Sequence, residues 1–588
     1  MPRSRILAGV ATTSMVLAST AALAGSVSAE AATPGANAAA SPGSAAATAS
    51  AGDEYVVLYK EGQSPAVARA VIAGAGGRVV KENTKVGFAL ATSADPAFAA
   101  KVDATGVVEG AARNRVIGSA PNTARADARD VERLPAERAA RSGTGGQADA
   151  PAAPGGSAAA PAPEPLADRQ WDMRQIGATA SGSYAKDQGS RRVLVGVIDT
   201  GIDGTHPDIS PNFNGRLSRN FVVDNPVIDG PCEHPSCVDP VDEDDDGHGT
   251  HVASTIGSPI NGLGIAGVAP KVTLVNIRAG QDAGFFFLQP TLDALTYAGD
   301  IGVDVVNMSF FTDPWLFNCL DNPADSAAER AEQRVVRRAT QRAVNYATNH
   351  GVLPVAAEGN EATDLGHPTV DDTSPDFPPG TAKHREVDNS CITVPTETRG
   401  VLVVSSTGPS TRKAYYSNYG IEQTDAAAPG GDFYDTPDNT GDPRNTVLAA
   451  YPQRLAQLNG ELDPDGTPNT PFVVRDCQGG TCAYYQYLQG TSMASPHAAG
   501  VAALIVSHFG RQDPRHPGIG LAPDRTRSIL LDTAVPHACP QPRLFEYTRI
   551  RADGTVGHEE AFCAGPVQNN GFYGHGIVNA YAAVTARR

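Results

Sequence analysis

Three short stretches of this chain carry the residue types that acyl transfer needs: a hydroxyl, an imidazole and a carboxylate. In Gln489-Gly490-Thr491-Ser492-Met493-Ala494-Ser495-Pro496-His497, a serine follows a glycine and precedes an apolar segment, 498–505, that reads as a buried helix. The glycine permits a tight turn. The free N–H groups and the dipole at a helix start favour negative charge developing beside the hydroxyl. A serine hydroxyl is a poor nucleophile at neutral pH and needs a base, for which histidine has the right pKa. Asp246-Gly247-His248-Gly249-Thr250-His251 offers one at the start of a second helix. An imidazole in turn needs a carboxylate to hold its tautomer and to stabilise the imidazolium. Val197-Ile198-Asp199-Thr200-Gly201 supplies one at the end of an apolar strand. Singly, each has a plainer reading: a strand-capping Asp, a metal-binding His pair, a structural turn. An esterase-type hydrolase is disfavoured because GTSMAS lacks the GxSxG elbow.

The elements that must position these groups are legible from the apolar pattern. Segments 193–199, 272–278, 303–310, 352–357 and 401–405 are short runs apolar on both faces, with helical stretches between them. One helix is marked over 326–349 by a capping box, Ser326 and Glu329, and is ended by Gly351. Apolar strands alternating with helices imply a parallel sheet covered on both sides, an α/β architecture. Functional groups in such sheets gather at the carboxyl ends of the strands.

Upstream, residues 1–31 read as a signal peptide, with Arg3 and Arg5 before a small, apolar stretch and small-x-small cleavage sites at Val27-Ser28-Ala29 and Ala29-Glu30-Ala31. That makes the mature protein secreted and extracellular, with no membrane association once the signal is removed. Residues 32–52 and 123–164 are Ala/Pro/Gly-rich linkers, the second with Arg129, Arg133, Arg138 and Arg141 along it, and are expected to be mobile. Between them, 53–122 shows strand-helix-strand-strand-helix-strand, a small α+β ferredoxin-like domain. The chain has 588 residues and a formal net charge of −18, without a basic block, which argues against nucleic acid as a partner. All eight cysteines lie between Cys232 and Cys563. An even count in an exported chain suggests disulfides, and the absence of CxxC argues against zinc. Many connectivities are open; the one expected is Cys232–Cys237, Cys319–Cys391, Cys477–Cys482 and Cys539–Cys563.

Together, in the order Asp, His, Ser and on an α/β background, these motifs resemble those of the subtilisin-like serine proteases, the subtilases of peptidase family S8. Gln170-Trp171-Asp172-Met173, Tyr416-Ser417-Asn418-Tyr419-Gly420, Ala427-Ala428-Pro429-Gly430 and Gly574-His575-Gly576-Ile577-Val578-Asn579-Ala580 are further stretches similar to that family. The resemblance implies a three-layer fold with a mainly parallel central sheet over 165–588, and a self-processed zymogen. In it, 53–122 is an inhibitor-type prosegment and the cut falls between about Asn122 and Asp168. It implies Asp199, His248 and Ser492 as catalytic residues. In Ala356-Ala357-Glu358-Gly359-Asn360-Glu361, Asn360 matches the oxyanion-hole amide, with the backbone N–H of Ser492 as the second donor. A polypeptide substrate would lie extended beside the strand ending at Ser309. There Phe310-Phe311 departs from the small residues common in the family, and 312–325, with Cys319, looks like an insertion near the cleft. Structural calcium is implied, with Asp208 and Asn261, in the loop 259–265, as ligands. The acidic run 242–246 reads as a solvated loop. His251 and His497 are expected to be structural, with Pro496 tolerated in the first helical turn after Ser492. The protein is expected to be a monomer.

Overall fold

The computed structural model describes residues 53–115, 131–132, 163–378, 380–512 and 518–587. The expected signal peptide and first linker, and the arginines of the second linker, lie outside the described residues.

Seven strands form the central sheet. Edge to edge they are Ala426–Pro429, Leu402–Thr407, Leu353–Ala357, Val305–Met308, Leu194–Ile198, Thr273–Arg278 and Arg219–Asn220, all pairing in parallel. The continuous apolar runs are explained by alternation. Val195, Val197, Val305, Val355 and Val404 join one core cluster, with Val252 and Ile256 of the helix His248–Gly257 and Ala494 to Val506 of the helix Thr491–Phe509. Ile198, Val306, Ala356 and Val403 point the other way, into a cluster with Leu292 and Leu295 of the helix Leu288–Ile301 and Val336 and Val344 of the helix Ala327–Asn349. Successive side chains leave a strand on opposite faces, so burial on both sides demands an unbroken apolar run. The architecture is thus the expected three-layer α/β fold. The strand expected over 303–310 is shorter, Val305–Met308, because Ser309 and Phe310 leave the sheet at its carboxyl edge. The helix over 326–349 has both bonds of its capping box: Glu329 N–H donates to Ser326 Oγ and Ser326 N–H to Glu329.

The N-terminal module is a four-stranded antiparallel sheet in the order Arg78–Asn83, Phe88–Ser93, Asp53–Tyr59, Val108–Arg115, with the helices Pro65–Gly74 and Phe98–Asp103. One face packs on its own helices through Tyr55, Val57, Ile72 and Phe98. The other face offers Val56, Leu58, Phe88 and Ala112 to the same cluster that holds Val335 and Val336. Polar contacts fix the docking register. Asn83 Nδ2 donates to Asp293 Oδ1 (2.9 Å) and Thr296 Oγ1 (3.0 Å), Asn114 Oδ1 accepts from Gln289 N–H (2.8 Å), and Arg342 Nη1 donates to Tyr59 O (2.6 Å). The exposed ion pairs along the seam, such as Lys85–Asp300, contribute ~1 kcal/mol at most. Apolar burial therefore carries the docking. Gly110 allows the closest approach, since a Cβ there would fall 2.6 Å from Val335 Cγ2. Gly110→Val is accordingly expected to loosen the module. Amide exchange over 108–115 should rise, while that of Leu194–Ile198 stays slow.

Candidate active site

Three neighbouring strands deliver their next residues to one edge of the sheet. Ile198, Met308 and Ala356 stand in register, so Asp199, Ser309 and the segment Glu358-Gly359-Asn360 emerge side by side. Asp199 is fully buried. Its Oδ1 accepts from Thr200 N–H (2.8 Å) and lies 2.7 Å from His248 Nδ1. His248 is the first residue of its helix, preceded by Gly247 in the left-handed region (φ 91°). Gly249 permits the helix to approach, because a Cβ there would overlap the carbonyl oxygen of Gly201 and lie 3.0 Å from Asp199 Cβ.

The helix start is held by Asp244. This residue belongs to the acidic run expected to be a solvated loop, yet it is only 3 % exposed. It accepts from Gly247 N–H (2.9 Å), Thr250 N–H (2.9 Å), Thr250 Oγ1 (2.5 Å) and Thr200 Oγ1 (3.0 Å). A carboxylate at a helix N-terminus satisfies orphan donors and meets the positive end of the dipole. Asp244 also ties the His248 helix to the residue after Asp199. Composition suggested solvent for this run; the unpaired N–H groups it would meet were not visible from spacing.

Ser492 is the second residue of its helix and follows Gly490. Pro496 stands one turn after Ser492 within the helix, as expected. Having no N–H, it frees the carbonyl of Ser492 from the helix ladder. That carbonyl accepts from Ser309 Oγ (3.0 Å). Ser309 Oγ also receives Asn307 Nδ2 (2.9 Å) and meets Ser495 Oγ (2.8 Å), which donates to Asn307 Oδ1 (2.9 Å). The Ser309 side chain, expected at the substrate, is therefore engaged in holding the Ser492 turn, while its carbonyl lies 3.3 Å from Ser492 Oγ. Asn360 is locked from the same helix: its Oδ1 accepts from Thr491 N–H (2.9 Å) and Thr491 Oγ1 (3.0 Å), which leaves Nδ2 facing the cleft. Phe310 stacks on Phe286 with ring centroids 4.1 Å apart, and Phe311 packs on the Leu316 cluster. Both rings, with Leu316 from the expected insertion, line the cleft.

The cleft holds a residue that the sequence reading did not single out. Glu132 Oε1 accepts from Ser492 Oγ (2.6 Å) and from Asn360 Nδ2 (3.0 Å), and Glu132 Oε2 lies 3.6 Å from His248 Nε2. Gln489 Nε2 donates to Val131 O (2.8 Å). One carboxylate thus meets three of the four groups expected to do chemistry. No composition signal in the linker marked it. Burial opposes the charged imidazole of His248, but Asp199 and then Glu132 outweigh it and push the pKa up to about 9. Burial pushes the Asp199 carboxyl up, and His248 opposes that shift.

The other two histidines are structural as expected. His251 Nε2 donates to Val447 O (3.2 Å) and Gln486 O (3.1 Å), while His497 bridges Met493 O (2.7 Å) and Asp172 Oδ2 (3.1 Å). All four disulfides pair as expected.

The calcium reading of Asp208 and Asn261 is corrected. Asp208 is fully buried, but hydrogen-bond donors engage both of its oxygens. Oδ1 accepts from Asn261 Nδ2 (3.1 Å), and Oδ2 from Ile265 N–H (3.1 Å) and the Tyr485 hydroxyl (3.1 Å). The Asn261 oxygen accepts from Leu263 N–H (2.9 Å) instead. Gly264 leaves space only for the Tyr485 hydroxyl, which a Cβ there would overlap. Calcium needs a shell of oxygen ligands, and this donor set does not fit it.

The Peptidase_S8 (subtilase family) profile matches residues 190–576. Among similar proteins, a thermophilic serine proteinase of Bacillus sp. (strain AK1) is 30% identical over 328 residues, 55% of this chain and 55% of that protein. Fervidolysin of Fervidobacterium pennivorans is 27% identical over 360 residues, 60% of this chain and 39% of it. The chain spans about half the length of the curated relatives it matches. Among solved structures, the epidermin leader peptide processing serine protease of Staphylococcus aureus superposes with a TM-score of 0.58 at 20% identity, covering 92% of this chain and all of that one. This last likeness concerns the fold.

Two outcomes are expected. Tyr485→Phe removes a donor to a buried carboxylate and should lower stability by about 1–3 kcal/mol, read from chemical denaturation. Glu132→Gln removes a negative charge beside His248, so the imidazole pKa should fall from about 9, read by NMR titration in the Ser492→Ala background.

Proposed function

Since this chain belongs to the subtilase family, we propose that it is a secreted serine endopeptidase, made as a precursor that is blocked by its own N-terminal segment until it cuts it. The observation that carries this reading is the convergence of Ser492, His248 and Asn360 on one carboxylate, with His248 anchored to Asp199. Glu132 Oε1 stands in for the oxygen of a substrate carbonyl. It accepts from the side-chain amide that would stabilise the oxyanion and from the hydroxyl that would attack.

With that carboxylate withdrawn, Ser492 Oγ attacks the scissile carbonyl carbon and His248 Nε2 takes its proton. Asp199 holds the imidazole through Nδ1 and stabilises its charged form. The carbonyl oxygen becomes an oxyanion facing Asn360 Nδ2 and the backbone N–H of Ser492. Collapse breaks the C–N bond, and the leaving amine receives the proton from His248. Water, deprotonated by the same histidine, then hydrolyses the acyl-enzyme. The reaction draws on side chains and backbone alone. The substrate is a polypeptide, laid extended along the cleft walled by Phe310, Phe311 and Leu316.

Residues 53–122 act in this reading as an inhibitor-type prosegment, its described part 53–115 docked on the helices Leu288–Ile301 and Ala327–Asn349, and Glu132, in the linker that follows, is the group that reaches the site. Export is supported by the signal-like N-terminus and by the four disulfides, which suit an oxidising compartment. No helix among the described residues is long and apolar enough to cross a membrane.

Ser492→Ala should leave the precursor uncut and casein hydrolysis at least ~10⁴-fold down; retained processing would refute the serine mechanism. Asn360→Ala should cost about 10²–10³ in kcat with little change in KM. The raised His248 pKa adds a pH signature. Its attraction to Glu132 is complete below the ordinary histidine range and is lost as pH rises through about 9. The first-order rate of precursor processing should therefore climb across that window, and Glu132→Gln should flatten the climb.

A further inference from the structure

The segment that carries Asn360 leaves the sheet as an irregular turn, so its peptide groups need partners outside the strand ladder. Glu358 N–H still donates to Val404 O (3.1 Å), and Gly359 then turns with a positive φ of 111°. Thr491 supplies one set of bonds, from Gly359 N–H to its Oγ1 (3.0 Å) and onto Asn360 Oδ1. A second set comes from one side chain, Asn418, which is 1 % exposed. Its Nδ2 donates to Glu358 O (3.2 Å) and Glu361 Oε2 (2.6 Å). Its Oδ1 accepts from Glu361 N–H (3.1 Å) and Thr363 N–H (2.8 Å). Its backbone N–H adds a bond to Gly359 O (3.0 Å).

A primary amide has two donor hydrogens and two acceptor lone pairs, and Asn418 uses all of them here. The bonds fall on Glu358 and Gly359 before Asn360 and on Glu361 and Thr363 after it. They bracket Asn360 while its own Nδ2 faces the cleft. The contact is close: a Cβ on Gly359 would lie 2.3 Å from Asn418 Nδ2. Asn418 is itself anchored. Ser417 Oγ donates to Asn418 O (2.9 Å) and accepts from Ser406 N–H (3.0 Å), which ties the turn to the strand Leu402–Thr407. The fully buried Lys413 ammonium donates to Ala414 O (3.0 Å) and Ser417 O (2.7 Å) across the same turn. The two segments also pair through backbone alone. Ala362 N–H donates to Tyr416 O (2.7 Å), Tyr419 N–H to Thr363 O (3.0 Å) and Leu365 N–H to Tyr419 O (2.7 Å). The Asn418 amide is therefore not needed to bring them together; what it adds is the fine geometry of the turn around Asn360.

We propose that Asn418 is a positioning residue for peptide-bond hydrolysis, which by bracketing the turn 358–363 fixes Asn360 Nδ2 where the oxyanion forms. The proposal rests on the reading of Asn360 as an oxyanion donor. Such a donor is effective because it is aimed before the reaction, and a misplacement of about 1 Å costs on the order of 10²-fold in rate.

The test is a double-mutant cycle on the matured enzyme, with casein as substrate. Asn418→Ala should lower kcat by about 10–10²-fold with KM little changed. In the Asn360→Ala background the same substitution should change kcat by less than about twofold, because the group it aims is gone. A merely structural role would cost the same factor in both backgrounds. Asn418→Asp has the same shape, keeps both acceptor bonds and loses both donor bonds, and should show the same loss and the same disappearance of it. A kcat that both variants leave within about twofold of the parent overturns the proposal. So does an equal loss in the two backgrounds, an effect on KM alone, or failure of both variants to mature, which would make the side chain a requirement of the fold. Parental kcat in Asn360→Ala by itself removes the oxyanion reading and the proposal with it, and that outcome is seen without any change at Asn418.

Discussion

The site depends on burying one carboxylate completely. Asp199 has no access to water, so its charge must be met by what the fold places around it: the Thr200 N–H and the His248 ring. That requirement propagates outward. The ring reaches Asp199 only because its helix begins at Gly247 and Gly249 lies against Gly201, leaving no room for a side chain. The helix start is held by Asp244, which grips Thr200 at the same time. Ser492 is set against this pair through a bond deleted elsewhere: Pro496 frees a carbonyl that Ser309 then takes. The catalytic edge is thus a chain of linked donors and acceptors, each a neighbour of the next along a strand end or a helix start, with Asp199 Oδ2 left without a hydrogen-bond partner among the described residues.

An acidic protein that buries carboxylates has a limited set of ways to make them tolerable, and this one uses several. Asp199 is met by an imidazole, Asp244 by a helix terminus, and Asp208 by an amide, a backbone N–H and a phenol. The group around the buried Arg278 is the exception, where Asp224, Asp239 and Asp282 carry more charge than one cation can balance. Glu132 belongs to the same pattern at the cleft, where it borrows the donors meant for another oxygen. The groups suited to stabilising a transient oxyanion also suit a resident carboxylate. On the proposed reading, this is how a linker residue would close the site without a specialised pocket.

Much of this could be read from the residues. The apolar runs announced a sheet buried on both faces, and the capping box at Ser326 and the four disulfides were found as expected. Asp199, His248 and Ser492 were singled out by residue type and setting, Asn360 by the family resemblance, and the fold brings all four to one edge. Where the reading failed, the missing information was partner identity. Asp208 and Asn261 fit a ligand pattern, but Tyr485, more than two hundred residues away, fills the space with a hydroxyl. The acidic run looked solvated because nothing local showed that orphan N–H groups would meet Asp244. Phe310 and Phe311 were marked as unusual, yet which surfaces they would lie on depended on Phe286 and Leu316.

By itself, the sequence determined the element types and the layer architecture and pointed to the candidate reactive groups, because periodicity, capping and glycine placement are local and act within a few residues. The tertiary structure alone decided which carboxylates are paired, which are starved of partners, and that Glu132 lies on the Ser492 hydroxyl. Those are matters of charge and hydrogen bonding between segments distant in the chain, and both fall off over a few ångströms of space whatever the separation in sequence.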